Sequence, residues 1–341
     1  MFVYNFENNH GDGAHPNILQ ALVRTNLEQH RGYGEDDYCM EAANILRKKI
    51  KNPKAEIHFA SWGTQVNLII IASILKPYES VISANTGHIN VHEAGAVEAT
   101  GHKVNVAHTE DGKLTPKHIQ SILDQHTDEH MVKPRLVFIS DSTELGTIYT
   151  KKELQTLSAF CKSHDLFLFL DGARLGSALC AKDNDLTLPE LSKLVDIFYI
   201  GGTKNGALLG EAIVINNDKL KENFRYHLKQ RWAMLAKSRV LWIQFLELFK
   251  DNLFFDLAKH ANAMAAKLTQ GIKKLGYEFL VPSTTNLIFV IFPNKVIQKL
   301  KKKYAFRVEK KLDNETSIVR LVTSWSTTQK AVNEFLHDLK G

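Results

Sequence analysis

The sequence predicts an α/β protein with a seven-stranded, mostly parallel sheet and a smaller C-terminal α+β domain. Two observations lead to this prediction. Short apolar runs rich in β-branched and aromatic residues alternate with longer segments of helical periodicity over the first part of the chain. Some runs, such as Leu-Phe-Leu-Phe-Leu at 166–170, contain no alternating polar residues, which indicates strands buried on both faces of a sheet.

The apolar runs define the strands predicted for the main sheet, which are 57–60, 81–84, 103–107, 136–140, 166–171, 196–201 and 212–215. Between them, apolar residues recur with the period of a helix, for example at 64–75 and 151–163. A long helical segment without Pro or Gly, 218–249, predicts one helix that connects two domains.

The C-terminal part of the chain mixes helices and strands. A helix predicted at 258–275 is ended by Gly276. The remaining predicted elements are strands at 286–292, 306–310 and 317–323 and helices at 294–303 and 328–339. We therefore predict an N-terminal arm at 1–15, a large domain at 16–250 and a small domain at 251–341.

The charge balance argues against a nucleic-acid partner. The chain has 43 Lys and Arg residues against 37 Asp and Glu residues, a net charge of +6, and the excess is scattered rather than gathered in one stripe. A cluster of lysines at 299–303 lies on a segment with apolar residues at helical spacing, which is typical of the solvated face of a helix.

The cysteines and the apolar segments indicate the cellular compartment of the protein. Its three cysteines are far apart and form no CxxC pair, which argues against a disulfide framework and a Cys-rich zinc site, and we predict no metal site. The N-terminus lacks the pattern of a signal peptide, and the longest uncharged apolar stretch, 65–75, is far shorter than the ~20 residues of a membrane helix. We expect a cytoplasmic protein with no membrane partner.

Polar residues that follow the strands are the candidates for function, because ligands bind beyond the carboxyl ends of strands in open parallel sheets. Gly63 and Thr64 begin a helix whose free backbone N–H groups suit a phosphate. Capping of that helix by Ser61 or Thr64 is the simpler explanation for this segment alone. Neither a GxGxxG after a strand nor a GxxxxGK[ST] occurs, which argues against dinucleotide and Walker-type sites.

Asp171 and Lys204 each follow a strongly apolar run. A carboxylate at the position of Asp171 needs a partner, which could be Arg174 or a protonated pyridine nitrogen. Burial of Lys204 would lower its pKa and make its amine a nucleophile, although a structural role within its own loop is equally open.

His88 and Glu144 follow two further strands, and each alone would be an ordinary packed or solvated residue. The whole set is more specific. Pyridoxal phosphate needs a lysine for its aldehyde, a carboxylate for its ring nitrogen, a helix N-terminus for its phosphate and a flat partner for its ring. The sequence offers all four groups after predicted strands.

Several segments resemble the low-specificity L-threonine aldolases, in the threonine aldolase and β-eliminating lyase group of fold-type-I pyridoxal phosphate enzymes (the aspartate aminotransferase superfamily). The likeness spans nearly the whole chain and rests on GAHPNILQAL, GYGEDDY, GTQVN, HINVHEAGA, DGAR, GGTKNGALLGEA and IVRLVTSW. It implies the fold-type-I fold, pyridoxal phosphate as cofactor, and cleavage of L-threonine or L-allo-threonine to glycine and an aldehyde.

By this resemblance, Lys204 would bind the cofactor covalently, Asp171 would pair with its ring nitrogen, and His88 would stack on its ring. The implied phosphate ligands are Gly63, Thr64 and, more weakly, Thr203. Arg174 and Arg320 would hold the substrate carboxylate, one from each domain.

Tyr33 would reach the active site of a neighbouring subunit, which implies a homodimer or homotetramer. The chain departs from the family pattern at two positions. Glu144 stands where well-known members have a histidine, so the catalytic base would be His88, Glu144 or a water held by either. Trp62 stands where a small residue is commoner and would narrow the pocket.

The same residues leave alternatives open. A lysine, an aspartate and carboxylate-binding arginines would equally serve β-elimination, racemisation or transamination of another small amino acid. A non-catalytic binding or regulatory protein with this fold is the alternative from another class, and the presence of Lys204 and Asp171 argues against it.

Overall fold

The structure, a computed structural model, describes residues 3–341. Its strands are β1 (Tyr4–Asn5), β2 (Glu56–Ala60), β3 (Glu79–Ala84), β4 (Lys103–Ala107), β5 (Lys133–Ser140), β6 (Phe167–Asp171), β7 (Ile197–Gly201), β8 (Glu211–Ile215), β9 (Leu287–Pro293), β10 (Tyr304–Ala305), β11 (Arg307–Lys311) and β12 (Thr316–Val322). Its α-helices are α1 (Pro16–Arg24), α2 (Asp37–Ile50), α3 (Gly63–Ile74), α4 (His88–Val91), α5 (Pro116–Leu123), α6 (Lys151–Ser163), α7 (Leu175–Leu179), α8 (Leu188–Leu194), α9 (Phe224–Gln230), α10 (Arg239–Lys250), α11 (Leu253–Lys274), α12 (Asn294–Leu300) and α13 (Gln329–Lys340).

The main sheet has seven strands in the order β2-β8-β7-β6-β5-β3-β4. Its strands are parallel to one another except β8, which runs antiparallel to both of its neighbours. The carboxyl ends of β2, β3, β5, β6 and β7 therefore lie together with the amino end of β8, at what we call the carboxyl end of the sheet. The predicted seven-stranded, mostly parallel sheet is confirmed.

Successive residues of the central strands point to two hydrophobic cores, one on each face of the sheet. Leu168, Leu170 and Phe198 join the core beneath α2, α6, α8 and α10, whereas Phe169 and Tyr199 join the core beneath α3 and α9. These five side chains are almost fully buried. Burial on both faces explains why these strands lack alternating polar residues.

A smaller antiparallel sheet, in the order β11-β12-β9, lies in the C-terminal part of the chain. Its core is separate from the two cores of the main sheet and includes Leu268, Phe292, Val319 and Phe335. The N-terminal segment belongs to this unit, because β1 pairs with β10 and Phe6 is fully buried in the same core.

The prediction of one connecting helix at 218–249 is wrong. Two helices, α9 and α10, occupy this segment, and residues 231–238 between them are not helical. Trp232 has a φ of 63°, and the Ser238 hydroxyl oxygen accepts a hydrogen bond of 2.5 Å from the backbone N–H of Gly34. Contacts with a distant part of the chain therefore override a locally helical pattern.

Most other predicted elements agree with the structure to within a few residues. The helix predicted at 294–303 ends at Leu300, because Tyr304 and Ala305 pair with β1. Helix α11 begins at Leu253, before its predicted start at 258, and Gly276 follows it with a φ of 84°. Each helix within residues 3–341 is too short or too polar to span a bilayer.

Candidate active site

A cavity of about 270 Å³ opens at the carboxyl end of the main sheet. Most of the predicted site residues line it; they are Gly63, Thr64, His88, Glu144, Asp171, Arg174, Thr203 and Lys204. They lie in the segments that follow five different strands, so the folded sheet brings them together from distant parts of the sequence.

A second cavity, of about 490 Å³, adjoins the first and reaches the C-terminal sheet. It shares His88, Glu144, Arg174 and Lys204 with the first cavity and adds Arg320 of β12. The two arginines predicted to bind a carboxylate therefore line one space, although they come from different sheets.

Tyr33 lines neither of these two cavities. Its side chain is 44% exposed, and the Lys229 ammonium lies 4.6 Å from the centre of its ring. Within one chain Tyr33 does not reach the cavity, and its predicted place in an active site requires a second subunit.

Asp171, at the end of β6, has a firmly positioned carboxylate. Its Oδ1 accepts hydrogen bonds from the Tyr199 hydroxyl at 2.5 Å and from the backbone N–H of Ala173 at 2.9 Å. Its Oδ2 accepts a longer hydrogen bond, of 3.4 Å, from the Asn67 side-chain amide. Within residues 3–341 the partners of Asp171 do not include Arg174, so the ion pair that was the alternative explanation for this carboxylate is not formed.

Lys204 lies in the loop after β7, and its ammonium group makes no hydrogen bond or salt bridge within residues 3–341. Burial lowers the pKa of Lys204 to about 8, and the Arg174 guanidinium is the next largest cause. An amine with this pKa is a competent nucleophile near neutral pH. The backbone carbonyl of Lys204 accepts a hydrogen bond of 3.2 Å from the Asn9 side chain, which ties the N-terminal arm to this loop.

The N-terminus of α3 borders the cavity without a side-chain cap. Its N-cap residue is Trp62, and among residues 3–341 no side chain accepts a hydrogen bond there, so the alternative prediction of capping by Ser61 or Thr64 is wrong. A Cβ atom on Gly63 would lie 2.9 Å from the Tyr199 hydroxyl oxygen, which favours glycine at this position. An uncapped helix N-terminus offers free N–H donors to an anion such as a phosphate.

Two carboxylates hold His88. Its Nδ1 lies 2.7 Å from Oε1 of the buried Glu93, and its backbone N–H donates to Oε1 of Glu144 at 2.9 Å. With Nδ1 donating to Glu93, Nε2 is the free nitrogen of the ring. Glu144 Oε1 also accepts from the Ser140 hydroxyl at 2.7 Å, and burial raises the pKa of Glu144.

Arg174 and Arg320 have guanidinium donors to spare. The Nε atom of each is buried without a hydrogen-bond partner within residues 3–341. Burial lowers the pKa of Arg174 to about 10, and the positive charge of Arg320 adds to this effect. The Nη1 atom of Arg320 lies 3.2 Å from Oε1 of Glu309, and its Nη2 atom donates a hydrogen bond of 3.3 Å to the Glu7 carbonyl. Two cations with free donors in one cavity suit a carboxylate ligand.

The structure adds cavity residues that the sequence analysis did not single out, which are His10, Ser140, Ser142, Ala173, Tyr199 and Glu211. Asn67, behind the cavity wall, donates to Glu93 at 2.7 Å. The sequence contained one usable signal, the phenol of Tyr199 inside an otherwise apolar strand. Trp62 also lines the cavity and is 54% exposed, and its narrowing of the pocket stays a prediction.

The residues present at this site fit pyridoxal phosphate. Within the part of the chain that the structure describes, Lys204 offers an amine without a partner, Asp171 a fixed carboxylate, and the N-terminus of α3 a set of free N–H donors, all on one cavity. The imidazole of His88 borders the same space.

Comparisons with known proteins agree with this geometry. The family model described as β-eliminating lyase matches residues 13–295. The chain is 34% identical to a low specificity L-threonine aldolase of Pseudomonas sp. (strain NCIMB 10558), over 98% of this chain and 96% of that protein. A solved structure of Leishmania major threonine aldolase is similar with a TM-score of 0.98 at 48% identity, and the match covers 99% of this chain and 98% of that one.

A mutant of Thermus thermophilus aspartate aminotransferase shares the fold alone, with a TM-score of 0.74 at 14% identity over 99% of this chain and 91% of that one. The predicted fold-type-I architecture is thereby confirmed. Because the family model covers most of the sequence and the Pseudomonas relative matches it from end to end, this chain belongs to the β-eliminating lyase family.

Proposed function

We propose that this protein is a pyridoxal phosphate-dependent lyase that cleaves L-threonine, L-allo-threonine and related β-hydroxy-α-amino acids between Cα and Cβ, releasing glycine and an aldehyde. The relatives from Pseudomonas and Leishmania major are both named as threonine aldolases. The observation that carries the proposal is the ammonium of Lys204, without a partner within residues 3–341, in one cavity with the fixed carboxylate of Asp171.

The cofactor is pyridoxal phosphate, which, when bound, withdraws electrons from the Cα of an attached amino acid and so weakens the bonds to that carbon. Lys204 would hold it through its amine until the substrate amine binds in that place. Asp171 would hold a proton on the ring nitrogen. The proposed phosphate ligands are Gly63, Thr64 and, more weakly, Thr203, whose hydroxyl already accepts a hydrogen bond of 3.0 Å from Gly210.

Arg174 and Arg320 bind the substrate carboxylate in this proposal. The orientation in which these arginines hold the carboxylate would determine which bond to Cα is aligned for cleavage. The planar fork of Arg174 can meet both carboxylate oxygens. The substrate would replace Glu309 as the anionic partner of Arg320.

His88 is the favoured base for the β-hydroxyl proton. Within residues 3–341 its Nε2 makes no hydrogen bond and can accept that proton while Glu93 holds Nδ1. Glu144 is less suited, because its Oε1 is already engaged by two donors. Its position beside His88 would instead influence which β-substituents the enzyme accepts.

We propose that the enzyme is a homodimer or homotetramer and that Tyr33 completes the active site of a neighbouring subunit. Support comes from apolar side chains left in solvent by the single chain, among them Leu27 (91% exposed), Trp232 (86%) and Val23 (77%). Apolar side chains that one chain leaves exposed are residues that association with a second chain can cover.

The division into an arm (1–15), a large domain (16–250) and a small domain (251–341) and a place in the cytoplasm are part of the proposal. The separate core of the C-terminal sheet supports the boundary between the large and the small domain, and Phe6 of the arm is buried in that same core. A movement of the small domain would carry Arg320 toward Arg174.

Product analysis tests the proposed reaction. Purified protein supplied with pyridoxal phosphate is incubated with L-threonine, and we expect glycine and acetaldehyde in equal amounts. Pyruvate and ammonia from L-serine, with no aldehyde from L-threonine, would indicate a β-eliminating lyase instead. A protein that takes up no pyridoxal phosphate would contradict the proposal and favour a binding or regulatory role.

A further inference from the structure

Glu211 is a buried carboxylate in the cavity, and the proposed mechanism assigns it no role. Its side chain is 4% exposed, and it lines the same cavity as Lys204. Within residues 3–341 neither of these two side chains forms a salt bridge. A buried carboxylate without a cationic partner is costly, so its presence in the same cavity as the partly buried Lys204 calls for an explanation.

The topology of the sheet places Glu211 beside the lysine loop. Because β8 is antiparallel, its first residue lies at the carboxyl end of the sheet, where Glu211 pairs with Gly201 of β7 and Ala60 of β2. The backbone N–H of Gly202 donates to Oε2 of Glu211 at 3.2 Å. The carboxylate is thus bonded to the turn that carries Lys204.

Burial acts on the two groups in opposite directions. It raises the pKa of Glu211 to about 8, and it lowers the pKa of Lys204 to about 8. Besides Lys204, the titratable and charged groups that line the cavity around Glu211 are His10, His88, Glu144, Asp171, Arg174 and Tyr199. The charge of Asp171 disfavours the ionised form of Glu211, whereas the charge of Lys204 favours it.

We propose that Glu211 is a positioning residue whose negative charge, at the wall of the shared cavity, stabilises the positive charge on the Lys204 nitrogen. The proposal rests on the proposed function, because it concerns the nitrogen that binds the cofactor.

Spectroscopic titration of the cofactor-loaded enzyme tests this role without a measurement of turnover. The midpoint of the pH-dependent change in the visible absorption of the bound cofactor is compared in the wild type, Glu211→Gln, Glu211→Asp and Asp141→Asn. Removal of a nearby negative charge destabilises a cation, so Glu211→Gln should lower the midpoint by about one pH unit or more. Glu211→Asp, which keeps the charge at a greater distance, should lie between Glu211→Gln and the wild type.

Asp141→Asn is the matched control. Asp141 is also buried, and burial raises its pKa to about 8, but it does not line the cavity. Its replacement should leave the midpoint at the wild-type value. An unchanged midpoint in Glu211→Gln, or an equal shift in Asp141→Asn, would overturn the proposal.

Two further readouts keep the outcome decisive. If Glu211→Gln does not fold, as judged by circular dichroism, then Glu211→Asp decides: a lowered midpoint supports the proposal, and a wild-type midpoint overturns it. If the wild type binds no pyridoxal phosphate, the proposed function fails on its own. The pH dependence of reductive methylation of Lys204, read by mass spectrometry, then reports the same shift in the cofactor-free protein.

Discussion

Lys204 supplies the amine on which the proposed chemistry depends. We expect Lys204→Ala to lose both turnover and the covalent link to pyridoxal phosphate, because no other group could replace the amine at that position. Mass spectrometry after borohydride reduction measures the link directly: the wild type should gain the mass of the cofactor on the peptide that contains Lys204. Lys162→Ala, at an exposed position of α6, is the control and should behave as the wild type. Retained turnover in Lys204→Ala would refute the assignment.

Replacement of Arg174 tests the proposed binding site for the substrate carboxylate. Charge-assisted hydrogen bonds contribute about 1.5–3 kcal/mol each, so Arg174→Ala should raise KM for L-threonine about ten- to hundredfold. Uptake of pyridoxal phosphate, followed by its absorption, should be unaffected. If cofactor uptake is lost instead, Arg174 serves the cofactor or the fold rather than the substrate.

The roles of His88 and Glu144 can be distinguished by replacing each residue with glutamine. A positioned general base contributes about 10²- to 10⁴-fold, so His88→Gln should reduce kcat on L-threonine by a factor in that range. Glu144→Gln retains an Oε1 acceptor for Ser140 and for the His88 backbone, and we expect its kcat to fall less than His88→Gln, with an altered preference between threonine and phenylserine. A larger loss in Glu144→Gln than in His88→Gln would make Glu144 the base, and unchanged kinetics on both substrates would make it a bystander.

At the scale of elements, the sheet and the residues that follow its strands could be predicted from the sequence. Parallel strands buried on both faces leave uninterrupted apolar runs, and the polar groups at their carboxyl ends stand out against them. Asp171 and Lys204 were identified in this way, and both line the cavity. The rule depends on local pattern alone, which is why it needed no knowledge of strand order.

The same rule could not find the residues that reach the cavity by another route. Glu211 is the first residue of a strand and does not follow one. The antiparallel direction of β8 could not be predicted, because the apolar pattern of a strand does not depend on its direction in the sheet. Tyr199 lies within β7, and His10 arrives from the arm. The break between α9 and α10 was missed for a related reason, since it depends on the contact of Ser238 with Gly34.

A substitution at the start of α3 tests whether the N-terminus of this helix binds the cofactor phosphate. A methyl group at Gly63 would approach the Tyr199 hydroxyl, which cannot move freely because it is bonded to Asp171. We expect Gly63→Ala to displace the helix N-terminus and weaken pyridoxal phosphate binding by about tenfold, the equivalent of about 1.4 kcal/mol. Titration with the cofactor measures this change. Gly13→Ala, where an added Cβ meets nothing within 4 Å, is the control, and equal affinities in both variants would contradict the phosphate role of α3.

At the scale of the whole molecule, the exposed apolar residues predict self-association. Light scattering should give twice or four times the 38.6 kDa of one chain. Replacement of both Val23 and Leu27 by Asp should shift the mass toward that of the single chain and lower activity, because Tyr33 would no longer enter a neighbouring site. Leu280→Asp, at a half-exposed position outside α1, should not change the mass. A wild type that is monomeric and fully active would contradict the assembly.

The N-terminal arm imposes an order of events on synthesis. The ribosome makes this segment before the C-terminal sheet, yet β1 pairs with β10, and the Phe6 carbonyl accepts a hydrogen bond of 2.8 Å from the backbone N–H of Val322. The strands of the main sheet end at Ile215, and α10, which covers one of its faces, ends at Lys250, so this unit can form while translation continues. The arm must wait for β10 and Val322, and the contact of Asn9 with the lysine loop waits with it. A ribosome stalled after the main sheet would therefore hold a nascent chain whose catalytic pocket still lacks its N-terminal wall.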